Sequence, residues 1–344
     1  MKPNLFNIAT RELSQDAFIT WLLQWASPEC AAFDAPLHNC AIAFTKKLLS
    51  LQTEAPATID SIKAGRQWDH IDVWAEVNND LLLIIEDKTF TGQHSGQLKR
   101  YRESASTWCN KNARRLVSVY LKTGSESSSS LNKVRNDGYA VFSRKDFISC
   151  LDAHAISNAI FVDFRDRIIA LEQEENQYCD KAIVDWKAPD WKGFYQGLEQ
   201  LRPVIDWNLV NPPSGASFWN AVLNWYNYGA SNAYMQIEQG ALCFKLGEVY
   251  ENHAEVRDRF HRILMEGCKN RPEIKRPRKF GSGTYMTVAV VGRTDWLGPD
   301  DGKVNMMTVA SRLNEYETLL IQILENAQQG VAPYVAQSAP SGER

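Results

Sequence analysis

Leu81 to Ile85 is an unbroken run of large aliphatic side chains, bounded by Asn78-Asn79-Asp80 before it and Glu86-Asp87-Lys88 after it. The run is too short for an ordinary helix, and a strand that is apolar on both faces belongs in the middle of a covered sheet. Burial at ~1.5–3 kcal/mol per side chain fixes it in the core. The charged triplet is therefore carried to the rim of a buried strand. Ile71 to Val77 reads as a second strand, and Asn78-Asn79-Asp80 tolerates the tight-turn backbone of a hairpin between the two. Antiparallel pairing across that turn sets Asp72 beside Glu86 and Lys88, and strand period two sends the Asp87 side chain to the opposite face.

Two acids against one lysine leave a surplus of negative charge, and an uncompensated buried carboxylate costs several kcal/mol. A divalent cation removes the surplus; oxygen ligands suit Mg²⁺ or Mn²⁺ better than Zn²⁺. A hard cation held by Asp72 and Glu86, with Lys88 to orient or help deprotonate a water, is a complete set for phosphodiester hydrolysis.

Asp72 followed by Glu86-Asp87-Lys88 resembles the D…(D/E)xK signature of the PD-(D/E)XK nucleases, with Ile71 standing where the family often has proline. Gln97-Leu98-Lys99-Arg100-Tyr101 is similar to the QxxxY motif of RecB-like branches, and its i,i+4 spacing puts Gln97 and Tyr101 on one helical face. Glu12 to Phe18 resembles the opening of an uncharacterised prokaryotic group in that superfamily, and Tyr120 to Gly124 and Gly281 to Val290 are also similar to it. The resemblance implies an α/β, restriction-endonuclease-like core with a mixed central sheet flanked by helices. It implies that Asp72, Glu86, the main-chain carbonyl of Asp87 and Glu12 ligate Mg²⁺ or Mn²⁺, and that Lys88, Gln97 and Tyr101 complete the catalytic set. The helix dipole favours an acid at Glu12 in any protein, so that role rests on the resemblance. The expected activity is metal-dependent cleavage of nucleic acid, DNA in particular, in phage defence or repair. The alternative is a catalytically silent nuclease fold that binds nucleic acid as a subunit of a larger complex.

Around this centre, periodicity predicts a helix over Glu12 to Trp25 with an apolar stripe of Leu13, Ala17, Phe18, Trp21, Leu22 and Trp25, capped by Thr10 or Ser14. A second helix is expected from about Cys40 to Leu51, a polar one over Gln93 to Trp108, and another from Arg144 to Leu151. Strands are expected at Leu116 to Leu121 and Gly138 to Phe142, with a Ser-rich loop at Ser125 to Ser130. Residues 1–152 are read as the nuclease core, 153–210 as a helical connector, 211–331 as a C-terminal α+β region and 332–344 as a disordered tail. In the C-terminal region, Phe218 to Tyr228 reads as a helix, Tyr234 to Leu246 as a hairpin, Tyr285 to Val291 as a strand and Leu313 to Leu324 as a helix.

A formal charge of -3 does not advertise a polyanion partner, so a nucleic-acid surface must be a local patch. Lys99 and Arg100, Arg114 and Arg115, and the dense run holding Arg276, Arg278 and Lys279 are the candidates for phosphate contacts; a solvated face accounts equally well for the last. Trp68, Trp74, Trp108, Trp219 and Trp225 are expected in the core rather than against bases. Asp16 is expected at the surface, and His70 and His94 in structural roles. Seven cysteines without CxxC spacing read as buried thiols of a reducing compartment, and no apolar run is long enough to span a bilayer. The expectation is a soluble cytoplasmic protein with no membrane partner, acting as a homo-oligomer or a complex subunit.

Overall fold

The computed structural model describes residues 3–89, 92, 96–211, 217–238 and 240–329. These divide into two compact units, one within Met1–Tyr178 and Lys187–Gln196, the other within Cys179–Trp186 and Gly197–Arg344.

The first unit opens with α1 (Glu12–Gln24) and α2 (Ala35–Leu49), followed by β1 (Ile62–Trp68), β2 (Ile71–Val77) and β3 (Leu81–Lys88). It continues through α3 (Gln97–Asn112), β4 (Arg115–Lys122), α4 (Ser128–Asn136), β5 (Ala140–Ser143), α5 (Arg144–Asp152) and α6 (Ala159–Asn176) to most of α7 (Ala188–Glu199). The five strands lie in chain order, antiparallel across β1-β2-β3 and parallel across β3-β4-β5. This is the mixed sheet flanked by helices that the motif resemblance implied.

Local chemistry explains the centre of the sheet. Asn78 and Asn79 take left-handed φ values of 53° and 49° at the centre of the Val77–Asp80 turn, a backbone that asparagine tolerates, and Val77 pairs with Leu81 across the three-residue loop. A parallel neighbour cannot be reached by such a turn, so α3 carries the chain from β3 back to the start of β4. Every residue of β3 is buried. On one face, Phe18, Ile19 and Leu22 of α1, Phe44 of α2, Phe147 of α5 and Phe164 of α6 pack with Leu83, Ile85 and Val119. On the other, Leu98, Ala105 and Cys109 of α3 pack with Leu82, Ile84 and Tyr120.

Several expectations are corrected. The buried face of α1 is Gln15, Asp16, Phe18, Ile19, Leu22 and Leu23, while Leu13 and Ala17 are exposed; the helix is rotated so that two polar side chains meet the end of β3. Its cap position is Arg11, with no side-chain cap bond. The second helix starts earlier, at Ala35, where Asp34 accepts the Leu37 N–H. The serine-rich stretch begins α4 instead of a loop, because the Ser127 hydroxyl caps the Ser130 N–H. Strand β1, which sequence reading missed, carries no aliphatic alternation and is specified by its pairing with β2. Gln93 to Ser95, the expected start of the polar helix with His94, lie outside the described residues.

The second unit holds β6 (Asp206–Val210), β7 (Phe218–Val222), β8 (Tyr226–Tyr228), β9 (Ser231–Glu238), β10 (Ala241–Gly247), α8 (His253–Gly267), β11 (Ile274–Lys275), β12 (Met286–Val291), α9 (Arg293–Trp296) and α10 (Met306–Gln329). Its sheet runs β11-β12-β10-β9-β7-β6, with β8 on β9. The Tyr234 to Leu246 hairpin stands as β9 and β10. Phe218 to Tyr228 is a pair of strands rather than a helix, since pairing with β6 and β9 overrides a spacing that also fits a helix. The Pro212 to Gly215 break and the tail from Ala332 lie outside the described residues. No described helix is long and apolar enough to cross a membrane. Cys179 is exposed and Cys30 and Cys150 are partly so, which departs from a uniformly buried set of thiols.

Candidate active site

Val73 pairs with Ile85, and one further step along the same register sets Asp72 against Glu86 at the strand ends. The Lys88 Nζ lies 2.7 Å from Glu86 Oε1, 3.3 Å from Asp72 Oδ2 and 3.0 Å from the main-chain oxygen of Asp87. One ammonium thus sits where three oxygens converge. Glu86 and Lys88 are buried, whereas the Asp72 side chain keeps 19% of its surface exposed, so the cluster opens at Asp72. The Asp87 main-chain N–H donates to Asp72 Oδ2 at 3.1 Å and fixes that carboxylate.

Burial, and then the charge of Asp72, push the Glu86 carboxyl up to about 7 against the pull of Lys88. Burial opposes the charge on Lys88, but Glu86 and Asp72 outweigh it and hold the ammonium above the ordinary lysine range. Glu86 Oε2 is buried with no hydrogen-bond partner in the protein. Two carboxylates, one of them with a spare oxygen, and a main-chain carbonyl already gathered around a positive charge form a donor set that fits a hard divalent cation. Among the described residues, no group of three or more His, Cys, Asp or Glu side chains is gathered for a metal; the set here is two carboxylates and a carbonyl.

The first turn of α3 closes one side. Gln97 Nε2 donates to Glu86 Oε1 at 2.8 Å and to the Tyr101 hydroxyl at 3.2 Å, and the His70 ring lies nearly parallel to Tyr101 with centroids 6.3 Å apart. Glu12, at the start of α1, accepts the Thr89 N–H at 3.0 Å and ties down the chain leaving β3.

The other face of the triplet is closed. Gln15 Nε2 donates to Asp87 Oδ1 at 2.5 Å, the Thr123 hydroxyl donates to Gln15 Oε1 at 3.0 Å, and Thr123 and Thr89 hydroxyls are 3.0 Å apart. Asp16 is buried here, not at the surface as expected, and its charge acts on the Asp87 carboxyl; neither Asp16 Oδ1 nor Asp87 Oδ2 has a hydrogen-bond partner. Two acids buried side by side repel when both are charged. Burial, then the Asp72 charge, raises Asp16 to about 7, and burial with the Asp16 charge raises Asp87 well above the carboxylate range. Extending the Ile19, Leu22 and Leu23 stripe back one turn would have placed Gln15 and Asp16 on the buried face.

Residues 3–179 match the PD-(D/E)XK nuclease superfamily. The chain belongs to that superfamily. The match covers more than half of the 344 residues and ends beside Tyr178, where the long segment of the first unit ends. Comparison with curated proteins and with solved structures finds no match.

Around this cluster of the PD-(D/E)XK chain, Lys99 and Arg100 are exposed on the first turn of α3, next to Gln97. Arg114 and Arg115 lie at the opposite end of the sheet, since Arg115 pairs with Leu81 while Lys122 pairs with Lys88; a strand of that length separates them by ~20 Å. Arg114 is 3.0 Å from Glu76 and Arg115 is 2.5 Å from Asp80. Arg276, Arg278 and Lys279 are exposed in the second unit, with the Arg276 guanidinium 4.6 Å from the Phe280 ring centroid. Sequence reading missed Arg144, which donates to the Thr123 carbonyl at 2.8 Å while paired with Glu172 and Glu175 at 2.7 and 2.8 Å. It braces the chain that leaves β4.

Proposed function

We propose that this protein is a divalent-metal-dependent nuclease that hydrolyses phosphodiester bonds in DNA, with the Asp72–Glu86–Lys88 cluster as its catalytic centre. The convergence of Asp72 Oδ2, Glu86 Oε1 and the Asp87 carbonyl on Lys88 Nζ carries this reading. Asp72, Glu86 and the Asp87 carbonyl would hold Mg²⁺ or Mn²⁺, with Glu12 as a further acid. When bound, the cation supplies an activated water and a positive charge for the phosphoryl oxygens. Lys88, kept protonated between two acids, donates to the attacking water and offsets charge that grows on the phosphate. Gln97 fixes the Glu86 carboxylate and is itself fixed by Tyr101, which keeps the acid pointed at the reacting atoms. Lys99 and Arg100 meet flanking phosphates, contacts that orient a strand without reading its bases. A place in phage defence or repair rests on the resemblance of the Glu12 to Phe18 segment.

One observation favours a second reading. Lys88 already gives both acids a counter-charge, which also suits a silent, binding-only member of the fold. Incubation with single- and double-stranded DNA and RNA in Mg²⁺, Mn²⁺ or EDTA separates the two. Metal-dependent cleavage lost in Lys88→Ala and Asp72→Ala is the expected result. Cleavage that survives either substitution sinks the assigned centre, and EDTA-insensitive binding with no cleavage selects the second reading.

A further inference from the structure

Trp68, Trp74 and Trp108 are half-buried rather than in the core, and with Lys63, Glu76 and Leu82 they line an open cavity of ≈ 240 Å³. That is far more than one water needs, and enough to admit a flat ring system. Trp68 meets Trp74 at 6.4 Å and 64°, and Trp108 at 5.7 Å and 74°, so these ring pairs are edge-on and not stacked. Exposed Lys63 places its Nζ 5.9 Å from the Trp74 ring centroid, and Arg114 neutralises Glu76 at 3.0 Å. The cavity is therefore aromatic with a net positive rim, which suits a base attached to a phosphate chain.

Its position ties it to the acid–lysine cluster. Trp74 lies two residues along β2 from Asp72 and on the same face of the sheet, as its pairing with Ile84 shows. The two positions are ~7 Å apart, comparable to one nucleotide step of an extended strand. Trp108 lies on α3, the helix that also carries Gln97 and Tyr101 to the cluster. A Cβ on Gly65 would come within 2.8 Å of the Trp74 indole, so glycine in β1 is what lets that ring lie against the sheet.

We propose that this cavity is a base-binding subsite, which takes one unstacked nucleobase from the strand whose phosphodiester lies at Asp72, and so directs the enzyme to single-stranded or locally opened nucleic acid. This rests on the reading of the Asp72–Glu86–Lys88 cluster as a nuclease centre. A base inside an intact duplex cannot enter, because its faces are stacked on its neighbours.

The test uses a single-stranded DNA oligonucleotide with 2-aminopurine at one position, bound in EDTA so that nothing is cut. The fluorescent base should lose emission on binding as it stacks. In Trp74→Ala the loss of emission should disappear and single-strand affinity should fall on the order of tenfold, with binding of blunt duplex unchanged. Lys63→Glu, an exposed substitution that leaves the packing alone, should weaken single-strand binding in the same direction. Wild-type affinity and an undiminished emission loss in both variants would overturn the subsite; should Trp74→Ala fail to fold, Lys63→Glu alone decides. Cleavage of the same oligonucleotide in Mg²⁺ tells the two ideas apart. If wild type cuts, Lys88→Ala does not, and the subsite variants match wild type, the subsite falls and the nuclease reading stands. If wild type neither binds nor cuts, both fall.

Discussion

Across β3, one face gathers Asp72 and Glu86 around the Lys88 ammonium, and the other sets Asp16 near Asp87, which accepts from the Gln15 amide. Both pairs are acids taken out of water, and Asp87 is the more deeply buried of the triplet's two. Burial alone does not tell a working site from scaffold. What separates the faces is the partner: a side-chain cation among oxygens on the side that opens at Asp72, a neutral amide on the side that is sealed. Charge that a substrate or metal can meet lies on the first; charge that locks α1 to the sheet lies on the second.

The largest effect should come from the open face. Lys88→Ala and Asp72→Ala are expected to lower cleavage by about 10²–10⁴-fold while leaving the circular dichroism spectrum intact, whereas Asp87→Asn should cut within a few-fold of wild type because only its main chain faces the cluster. Equal loss in all three would break the distinction. Asp87→Asn also removes one of two acids that repel, and its amide can donate to Asp16. Urea denaturation at neutral pH should show it unchanged or more stable by about 1–3 kcal/mol, and a clear destabilisation would mean that the Gln15 bond to the Asp87 carboxylate is worth more than the desolvation of its charge.

Smaller effects sharpen the picture. Gln97→Ala should reduce kcat about tenfold with little change in KM, since the glutamine orients Glu86 without needing to touch substrate; a change confined to KM would move it into substrate binding. On the closed face, burial works against the Glu172 charge, but Arg144 more than offsets it and holds the carboxyl below its ordinary value. A depressed carboxylate adds stability that is present above its unfolded value and lost as pH falls through the folded one. Glu172→Gln should therefore be less stable than wild type at pH 7, with the gap closing as pH drops below about 4 in thermal melts. A gap that persists in acid would assign the loss to packing.

The hairpin and triplet were legible because an aliphatic run and period two leave one register, and Asn78 and Asn79 mark the turn. Gln97 and Tyr101 were legible for a similar reason, their contact being local to one helix. Gln15, Asp16 and Arg144 were not: Gln15 reaches Asp87 from 72 residues away, and such meetings depend on how helices dock. The stripe on α1 misled because the polar side chains that lock this helix to the end of β3 interrupt its apolar face. At Phe218 to Tyr228 the neighbours decide, since β7 and β8 owe their form to pairing with β6 and β9. The tryptophans show a further limit, as periodicity tells inward from outward but not a sealed core from the wall of an open cavity.

The Asn78-Asn79-Asp80 turn has a consequence for how this chain can change length. Strand partners are counted outward from it, so one inserted or deleted residue would shift Asp72 off Glu86 and onto a neighbour that points through the sheet. Changes of two would keep the faces but slide Asp72 opposite Ile84 or Lys88, ~7 Å along the strand from Glu86. The turn behaves as a register gate: in a deletion scan through it, function should be lost at every change that shifts the register, while stability should alternate, since only odd shifts turn the aliphatic face of the hairpin out of the core.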